Sequence, residues 1–241
     1  HDASAMLAAM APLCPNLCHV RFELCEVHER DIEVACKALP GLEAVSLLHC
    51  KFHPDVLVWL TQLPRLRKLE LRGVCWLKHR AKFLCARRGS LRELEISEAT
   101  LSDNEFSYLG CMTQLTALSL RKCGSVEHNI ADLVRTLAHL TTLDISRAYR
   151  DTDCILTAVV ASGTRSLTSL DVSGCKKLTD HGMTQIAAIL AANPLEELSF
   201  VDCCRVTEAG LTALASSAGV GKLRRLNMGL NNKLAESSIG F

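Results

Sequence analysis

The sequence predicts an α/β solenoid of horseshoe form, with nine parallel strands on the concave face and short helices on the convex face. Three observations predict it: an apolar frame that recurs nine times, a nearly constant spacing between its copies, and a helical pattern between them. The repeats occupy 17–241, and 1–16 is expected to form the helix of a preceding repeat or a cap. We therefore treat 1–241 as a single domain, which we expect to be a fragment of a longer protein.

Each copy of the frame reads L-x-x-L-x-L-x-x-C/N, with other apolar residues accepted in place of leucine. The L-x-L core alternates with period two, as expected of a strand that buries one face. Copies lie 24 to 28 residues apart. Nine such units are too many and too short for a TIM barrel. The copies begin at Leu17, Leu42, Leu66, Leu91, Leu115, Leu140, Leu167, Leu195 and Leu223.

The ninth position of the frame is small or polar, and we expect it to face inward where the chain turns away from the strand. Cysteine and asparagine fit such a place because they can also hydrogen-bond the turn. Five of the thirteen cysteines share this phase, which indicates buried free thiols and a reducing compartment, cytoplasmic or nuclear, rather than a disulfide framework. The nine residues are Cys25, Cys50, Val74, Ala99, Cys123, Ala148, Cys175, Cys203 and Asn231.

The rest of each repeat predicts a short helix, most clearly in the seventh and eighth repeats. Apolar residues recur there at helical spacing after Thr179-Asp180 and after Thr207-Glu208, which offer N-capping oxygens.

Cys175–Met183 reads C-K-K-L-T-D-H-G-M, and Cys203–Leu211 echoes it as C-C-R-V-T-E-A-G-L. These phrases resemble the cysteine-containing subclass of leucine-rich repeats, and the chain is similar to the repeat domain of F-box substrate adaptors within the ribonuclease-inhibitor-like superfamily. The resemblance implies an intracellular, eukaryotic, non-catalytic protein-interaction module, with substrate recognition in an F-box-type ubiquitin ligase as its specific form. Two alternatives stay open: a structural scaffold of a cytoskeletal or chromosomal assembly, and a regulatory subunit that binds an acidic or phosphorylated partner through a basic ridge.

Outward positions of the strands form the concave surface, which is the expected binding face of a solenoid. Its mixed charges favour a protein partner. The predicted contact residues are His19, Arg21, Glu23, Lys68, Glu70, Arg72, Glu93, Glu95, Arg121, Asp144, Asp171, Glu197 and Arg225.

A second candidate surface lies in the loops that follow the strands. Residues 65–92 hold ten cations against one acid, although the acids that follow at once from Glu93 are expected to neutralise part of this ridge. Exposed aromatic residues could anchor a partner in the same loops. The predicted loop residues are Trp76, Lys78, Arg80, Lys82, Arg87, Arg88 and Tyr149.

Several function classes are not expected. A formal net charge of +1 and the lack of interleaved aromatics argue against nucleic acid, and no apolar run is long enough for a membrane span. The cysteines and histidines near residues 14–28 and 49–53 lack the paired spacing of a zinc site. Gly219–Leu223 looks like a phosphate loop but lacks the required upstream glycine and hydroxyl residue. We therefore expect no catalysis, cofactor, metal or small-molecule substrate.

Overall fold

A computed structural model describes residues 3–53, 55–73, 89–124, 129–149 and 151–231. In this part of the chain, nine strands form one parallel sheet in sequence order, which confirms the predicted architecture. The pairing brings equal frame positions side by side, so that Leu118, Leu143 and Leu170 lie in one row. The strands are β1 (His19–Glu23), β3 (Ala44–Leu48), β5 (Lys68–Arg72), β6 (Glu93–Ser97), β7 (Ala117–Ser119), β8 (Thr142–Asp144), β9 (Ser169–Asp171), β10 (Glu197–Ser199) and β11 (Arg225–Asn227).

A second, two-stranded sheet lies just beyond the first turn, where the frame predicts no strand. It pairs β2 (Glu26–Val27) with β4 (Lys51–Phe52) in parallel, and Val27 of this sheet is buried in the core.

Helices follow the strands on the opposite side, as predicted. The Thr179 hydroxyl accepts a hydrogen bond from the amide of His181 and so caps the seventh-repeat helix, and Thr207 does the same for the eighth. None of the described helices is long and apolar enough to cross a bilayer. The helices are α1 (Ala3–Met10), α2 (Glu29–Ala38), α3 (Val56–Leu60), α4 (Asp103–Gly110), α5 (Ile130–Thr136), α6 (Thr152–Ser162), α7 (Asp180–Ala192) and α8 (Glu208–Ala215), with a 3₁₀ turn at Val220–Lys222.

The core is one continuous stack of frame leucines and helix residues. Burial weakens at both ends of the described stack: Val20 of β1 is only partly buried, and Leu226 of β11 is 48% exposed. Leu226 is exposed because no further described repeat packs against the last strand. The predicted inward orientation therefore gives full burial only where a repeat has a neighbour on each side.

The eighth position of every copy of the frame adopts a left-handed backbone, with φ between +52° and +73°. Two of these residues are glycine, Gly73 and Gly174, and the others carry side chains for which this conformation costs about 1 kcal/mol or more. The conformation is held by the next repeat: the Lys122 amide donates to the Ser146 carbonyl at 2.9 Å, and the Arg147 amide to the Ser173 carbonyl at 2.7 Å. Each repeat thus supports the turn of the one before it.

Cysteines at the ninth position form a buried spine. The thiols of Cys123, Cys175 and Cys203 donate to the sixth-position carbonyl of the preceding repeat at 3.1 to 3.4 Å. Asn231 extends this role, because its amide nitrogen donates to the Phe200 carbonyl at 3.0 Å while its oxygen accepts from the Cys203 amide. These bonds join each repeat to the one before it, and at Ile145 and Val172 they add to a backbone hydrogen bond that the same carbonyl accepts.

The assignment of Cys25 to this buried spine was wrong. Cys25 is exposed, although its sulfur lies 3.8 Å from that of buried Cys50. It belongs to the first copy of the frame, where stacking on one side only leaves the thiol in contact with solvent.

Alkylation of the folded protein is expected to separate the spine from the surface cysteines. Desolvation by burial raises the pKa of both Cys123 and Cys203 to about 12. Because the thiolate is the reactive form, this alone slows their alkylation at neutral pH by about a thousandfold relative to an ordinary thiol. Peptide mass spectrometry after a timed iodoacetamide pulse should show labelling at exposed Cys18, Cys111 and Cys154. Equal labelling of spine and surface without denaturant would contradict the buried spine.

A carboxylate ladder ties the helix starts of successive repeats together. Asp180 accepts from the Thr207 amide at 2.8 Å, the Thr207 hydroxyl at 2.6 Å and the Gly210 amide at 3.1 Å. One repeat earlier, Asp153 accepts from the amide and hydroxyl of Thr179. Glycine is required where the start of α8 approaches Asp180, because a Cβ on Gly210 would lie 2.5 Å from Oδ1 of Asp180. The L-T-D-x-G phrase therefore describes a junction between repeats.

The segment that resembles a phosphate loop has a packing role in this fold. A Cβ on Gly219 would overlap the backbone carbonyl oxygen of Leu190, and Lys222 donates to the Asn193 carbonyl at 3.2 Å. Lys222 thus caps the end of α7.

Candidate binding surface

Predicted concave residues of the first three repeats are joined by a chain of hydrogen bonds across the strands. A ring nitrogen of His19 lies 2.9 Å from the Ser46 hydroxyl, which donates to Glu70 at 2.7 Å. Lys68 lies 2.9 Å from the same carboxylate. Burial acts to raise the pKa of Glu70, but the hydrogen bonds from Ser46 and Lys68 outweigh it and lower that pKa. These side chains are thus engaged with one another.

Charges of the third and fourth repeats compensate one another, as the adjacency of cations and acids in the sequence predicts. Lys68 lies 3.6 Å from Glu93, and Arg72 lies 3.0 Å from Glu95. The hydrogen bond with Glu95 raises the pKa of Arg72. Exposed pairs of this kind contribute little to stability, but through them each of the three acids lies within 4 Å of a cation, with Lys68 shared by Glu70 and Glu93.

Two predicted acids, Asp144 and Asp171, differ from the other predicted acids of the concave face, all of which form ion pairs. Asp144 and Asp171 are side-by-side partners on β8 and β9, and both are half-buried. Their hydrogen bonds come from neutral donors: the Ser119 hydroxyl and the Ser146 amide for Asp144, and the Ser173 amide for Asp171. None of the ion pairs found among the described residues includes either one. We call Asp144 and Asp171 the carboxylate pair.

The remaining predicted concave residues lie where the frame places them. Arg21 pairs with Glu23 at 2.8 Å, and Arg225 pairs with Glu197. Arg121 follows β7 and is half-buried. A concave depression of about 560 Å³ extends from Asp171 across β10 to β11. Its size is in the range of ligand sites.

A basic cavity of about 420 Å³ lies along the edge where the strands end. Its charged and aromatic lining consists of Lys122, Arg147, Tyr149, Lys176 and Lys177, with Asp202 beside them. We call it the rim cavity. Tyr149, the predicted loop aromatic, is 64% exposed here.

The cations of the rim cavity are not among the predicted site residues, because they are far apart in the chain. Their positions in the frame could have revealed them. Lys122 and Arg147 occupy the eighth position, and Lys176 and Lys177 follow the spine cysteine of the seventh repeat.

Most of the predicted basic ridge lies outside the described residues, namely Trp76, Lys78, Arg80, Lys82, Arg87 and Arg88. Residues from its two described ends come together at the edge of the sheet where the strands begin, opposite the rim cavity. Arg65, Arg67 and Arg92 line a cavity of about 390 Å³ together with Glu43.

The candidate metal ligands do not assemble as their sequence proximity suggests. In the described ranges, the ligand atoms that come within 4.8 Å of one another in groups of three or more belong to Glu29, His53 and Asp55. All three residues are exposed, and His53 lies 3.0 Å from Asp55. Exposed groups of this kind are common without a metal.

Comparison with known proteins identifies the repeat. A family model described as a leucine-rich repeat matches residues 164–187, which contain β9 and the first part of α7. Together with the nine stacked parallel strands, this match shows that the chain has the fold of a leucine-rich-repeat solenoid. It confirms the leucine-rich repeat that the resemblance implies.

Solved structures share the fold over most of the chain. A chain in the crystal structure of the Rad7 and Elc1 complex in yeast matches with a TM-score of 0.74 and 22% identity, over 96% of this chain and 65% of that one. An internalin, InlF of Listeria monocytogenes, matches with a TM-score of 0.54 and 17% identity, over 81% of this chain and 50% of that one. This solenoid therefore spans less than two thirds of either matched chain.

Proposed function

We propose that this solenoid is a non-catalytic protein-interaction module that holds a partner on its concave face. The observation that carries the proposal is the carboxylate pair. Its two acidic side chains occupy paired positions on adjacent parallel strands, and no ion pair among the described residues includes them. A basic side chain of a partner would supply the positive charge that these described neighbours do not.

The contrast with the earlier repeats supports this location. Between β1 and β6 the outward acids already have cationic partners in the chain, whereas Asp144 and Asp171 have none among the described residues. Serine and threonine surround the pair on β7 to β10, and their short side chains leave the carboxylates accessible. A basic residue of the partner could therefore contact an oxygen of each carboxylate at once. The parallel N–H groups of an arginine guanidinium suit such a contact.

The double variant Asp144→Asn/Asp171→Asn is expected to reduce partner capture at least fivefold without lowering stability. Asparagine keeps the oxygen that accepts from Ser146 or Ser173, but it removes the charge that attracts the partner. Affinity capture with the full-length protein, with co-purifying chains quantified by mass spectrometry, measures the first effect. Thermal unfolding measures the second, and the midpoint should stay the same or rise.

Asp132→Asn is the matched control, because Asp132 lies on the convex helix α5 and pairs with Arg135. Capture that is unchanged in the double variant, or equally reduced in the control, would remove the binding site from this part of the concave face.

The more specific form of the proposal is substrate recognition in an F-box-type ubiquitin ligase. The cysteine-containing repeat phrases support it. Co-purification of a ubiquitin-ligase core with the full-length protein is the expected result. A cytoskeletal or chromosomal assembly in its place would favour the scaffold alternative.

A further inference from the structure

We propose that the rim cavity binds a phosphate monoester carried on a serine, threonine or tyrosine side chain of the protein partner. The inference rests on the proposed function, since the cavity borders the strand ends that carry the carboxylate pair. The proposed site for an anion therefore lies in the fifth to seventh repeats, and not on the predicted basic ridge at 65–92.

Charge balance favours a dianion. Four cations line the cavity, and two of them are already compensated: Lys122 by Glu98 at 2.8 Å and Lys176 by Asp202. Arg147 and Lys177 form no ion pair among the described residues, and both are exposed. The cavity therefore has an excess of two positive charges. A phosphate monoester carries about −1.5 to −2 at neutral pH and would match this excess, whereas a carboxylate would leave one cation uncompensated.

The backbone positions Arg147 for such a ligand. Arg147 has a left-handed φ of +57°, and its side chain lies over Gly174 of the next repeat. A Cβ on Gly174 would lie only 2.7 Å from Cγ of Arg147, so glycine at this place allows the arginine stem to cross the cavity floor. The guanidinium can offer two parallel N–H groups to phosphate oxygens. Tyr149 adds a hydroxyl donor and an aromatic face beside it.

The surroundings favour a phosphorylated protein segment over a nucleic acid. Asp144 and Asp171 are the last residues of β8 and β9, and each lies three residues before a turn residue of the cavity, Arg147 or Gly174. Their uncompensated charges would repel the successive phosphates of a nucleic acid. A peptide can place one phosphate in the cavity and one basic side chain on the carboxylate pair. The expected partner segment thus carries opposite charges a few residues apart.

Fluorescence anisotropy with two labelled pools of short degenerate peptides tests the proposal. One pool has phosphothreonine at its centre, and the other has threonine. Charge-assisted hydrogen bonds to a phosphate are expected to make the 241-residue chain bind the phosphorylated pool at least about tenfold more tightly. The variant Arg147→Gln/Lys177→Gln should abolish that preference. The variant Arg65→Gln/Arg67→Gln removes the same charge from the opposite basic cavity and should retain it.

Each other outcome overturns the phosphate site. Equal binding of the two pools does so, and if that binding is lost in the Asp144→Asn/Asp171→Asn variant, the proposed concave-face function survives on its own. A preference lost only in the Arg65→Gln/Arg67→Gln variant would place the anion site at the opposite edge. Binding of neither pool, or preferential binding of a single-stranded oligonucleotide through Arg147 and Lys177, would also refute the proposal.

Discussion

Replacement of Asp180 by alanine is expected to lower the free energy of unfolding by about 3 kcal/mol. The substitution removes a charged acceptor of three hydrogen bonds from the next repeat. It leaves the amides of Thr207 and Gly210 without their partner at a half-buried junction. Urea unfolding measures the loss, provided that the variant and the unsubstituted protein unfold with similar denaturant dependence.

Glu208→Ala provides the control for the general benefit of an acid at a helix start. Glu208 occupies the equivalent first-turn position of α8, and no ladder bond to it is found in the described part of the chain. Its loss should cost at most about 1 kcal/mol, which is the scale of a helix-dipole interaction. Equal destabilisation by the two substitutions would mean that the ladder adds nothing to helix capping.

Gly219→Ala is expected to destabilise the protein by about 2 to 3 kcal/mol, although it adds only one methyl group. The added Cβ would overlap the carbonyl oxygen of Leu190, which belongs to the backbone of α7 and cannot rotate away as a side chain could. Relief requires the segment before β11 to move away from α7, which would also strain the Lys222 contact with Asn193.

Gly221→Ala is a close control, because a Cβ at Gly221 would meet no atom within 4 Å. Thermal unfolding should therefore show a lower midpoint for Gly219→Ala and almost no change for Gly221→Ala. A similar shift in both variants would attribute the effect to backbone flexibility of the segment and not to the contact with Leu190.

The strands could be predicted from the sequence because their burial pattern repeats. The regular spacing of Leu118, Leu143 and Leu170 predicts that they are buried strand residues. The parallel sheet places them side by side in one row. The left-handed turns could not be predicted, since lysine, arginine and leucine do not favour that backbone. Lys122 and Arg147 adopt it because the next repeat holds their amides, and such support is not visible within one repeat.

Part of the candidate site was predictable from the repeating frame, as the strands were. The frame identifies which residues face outward, so it places Asp144 and Asp171 on the concave face. It cannot show whether either one forms an ion pair, because Arg121 follows the strand next to β8, and only the structure shows that none of the described ion pairs includes Asp144 or Asp171. The rim cavity was missed because Arg147 and Lys177 are thirty residues apart and meet only when the seventh repeat stacks on the sixth.

The left-handed turns also bear on how the array loses its structure. Seven of them are formed by residues other than glycine, and six of these seven donate their amide to a carbonyl of the next described repeat. Each of those six repeats is therefore unfavourable by about 1 kcal/mol until its neighbour supplies the carbonyl that holds the turn. In a linear array, a less favourable single unit combined with a more favourable interface sharpens cooperativity. A solenoid built in this way resists fraying from its ends, and long stretches of repeats are expected to melt together.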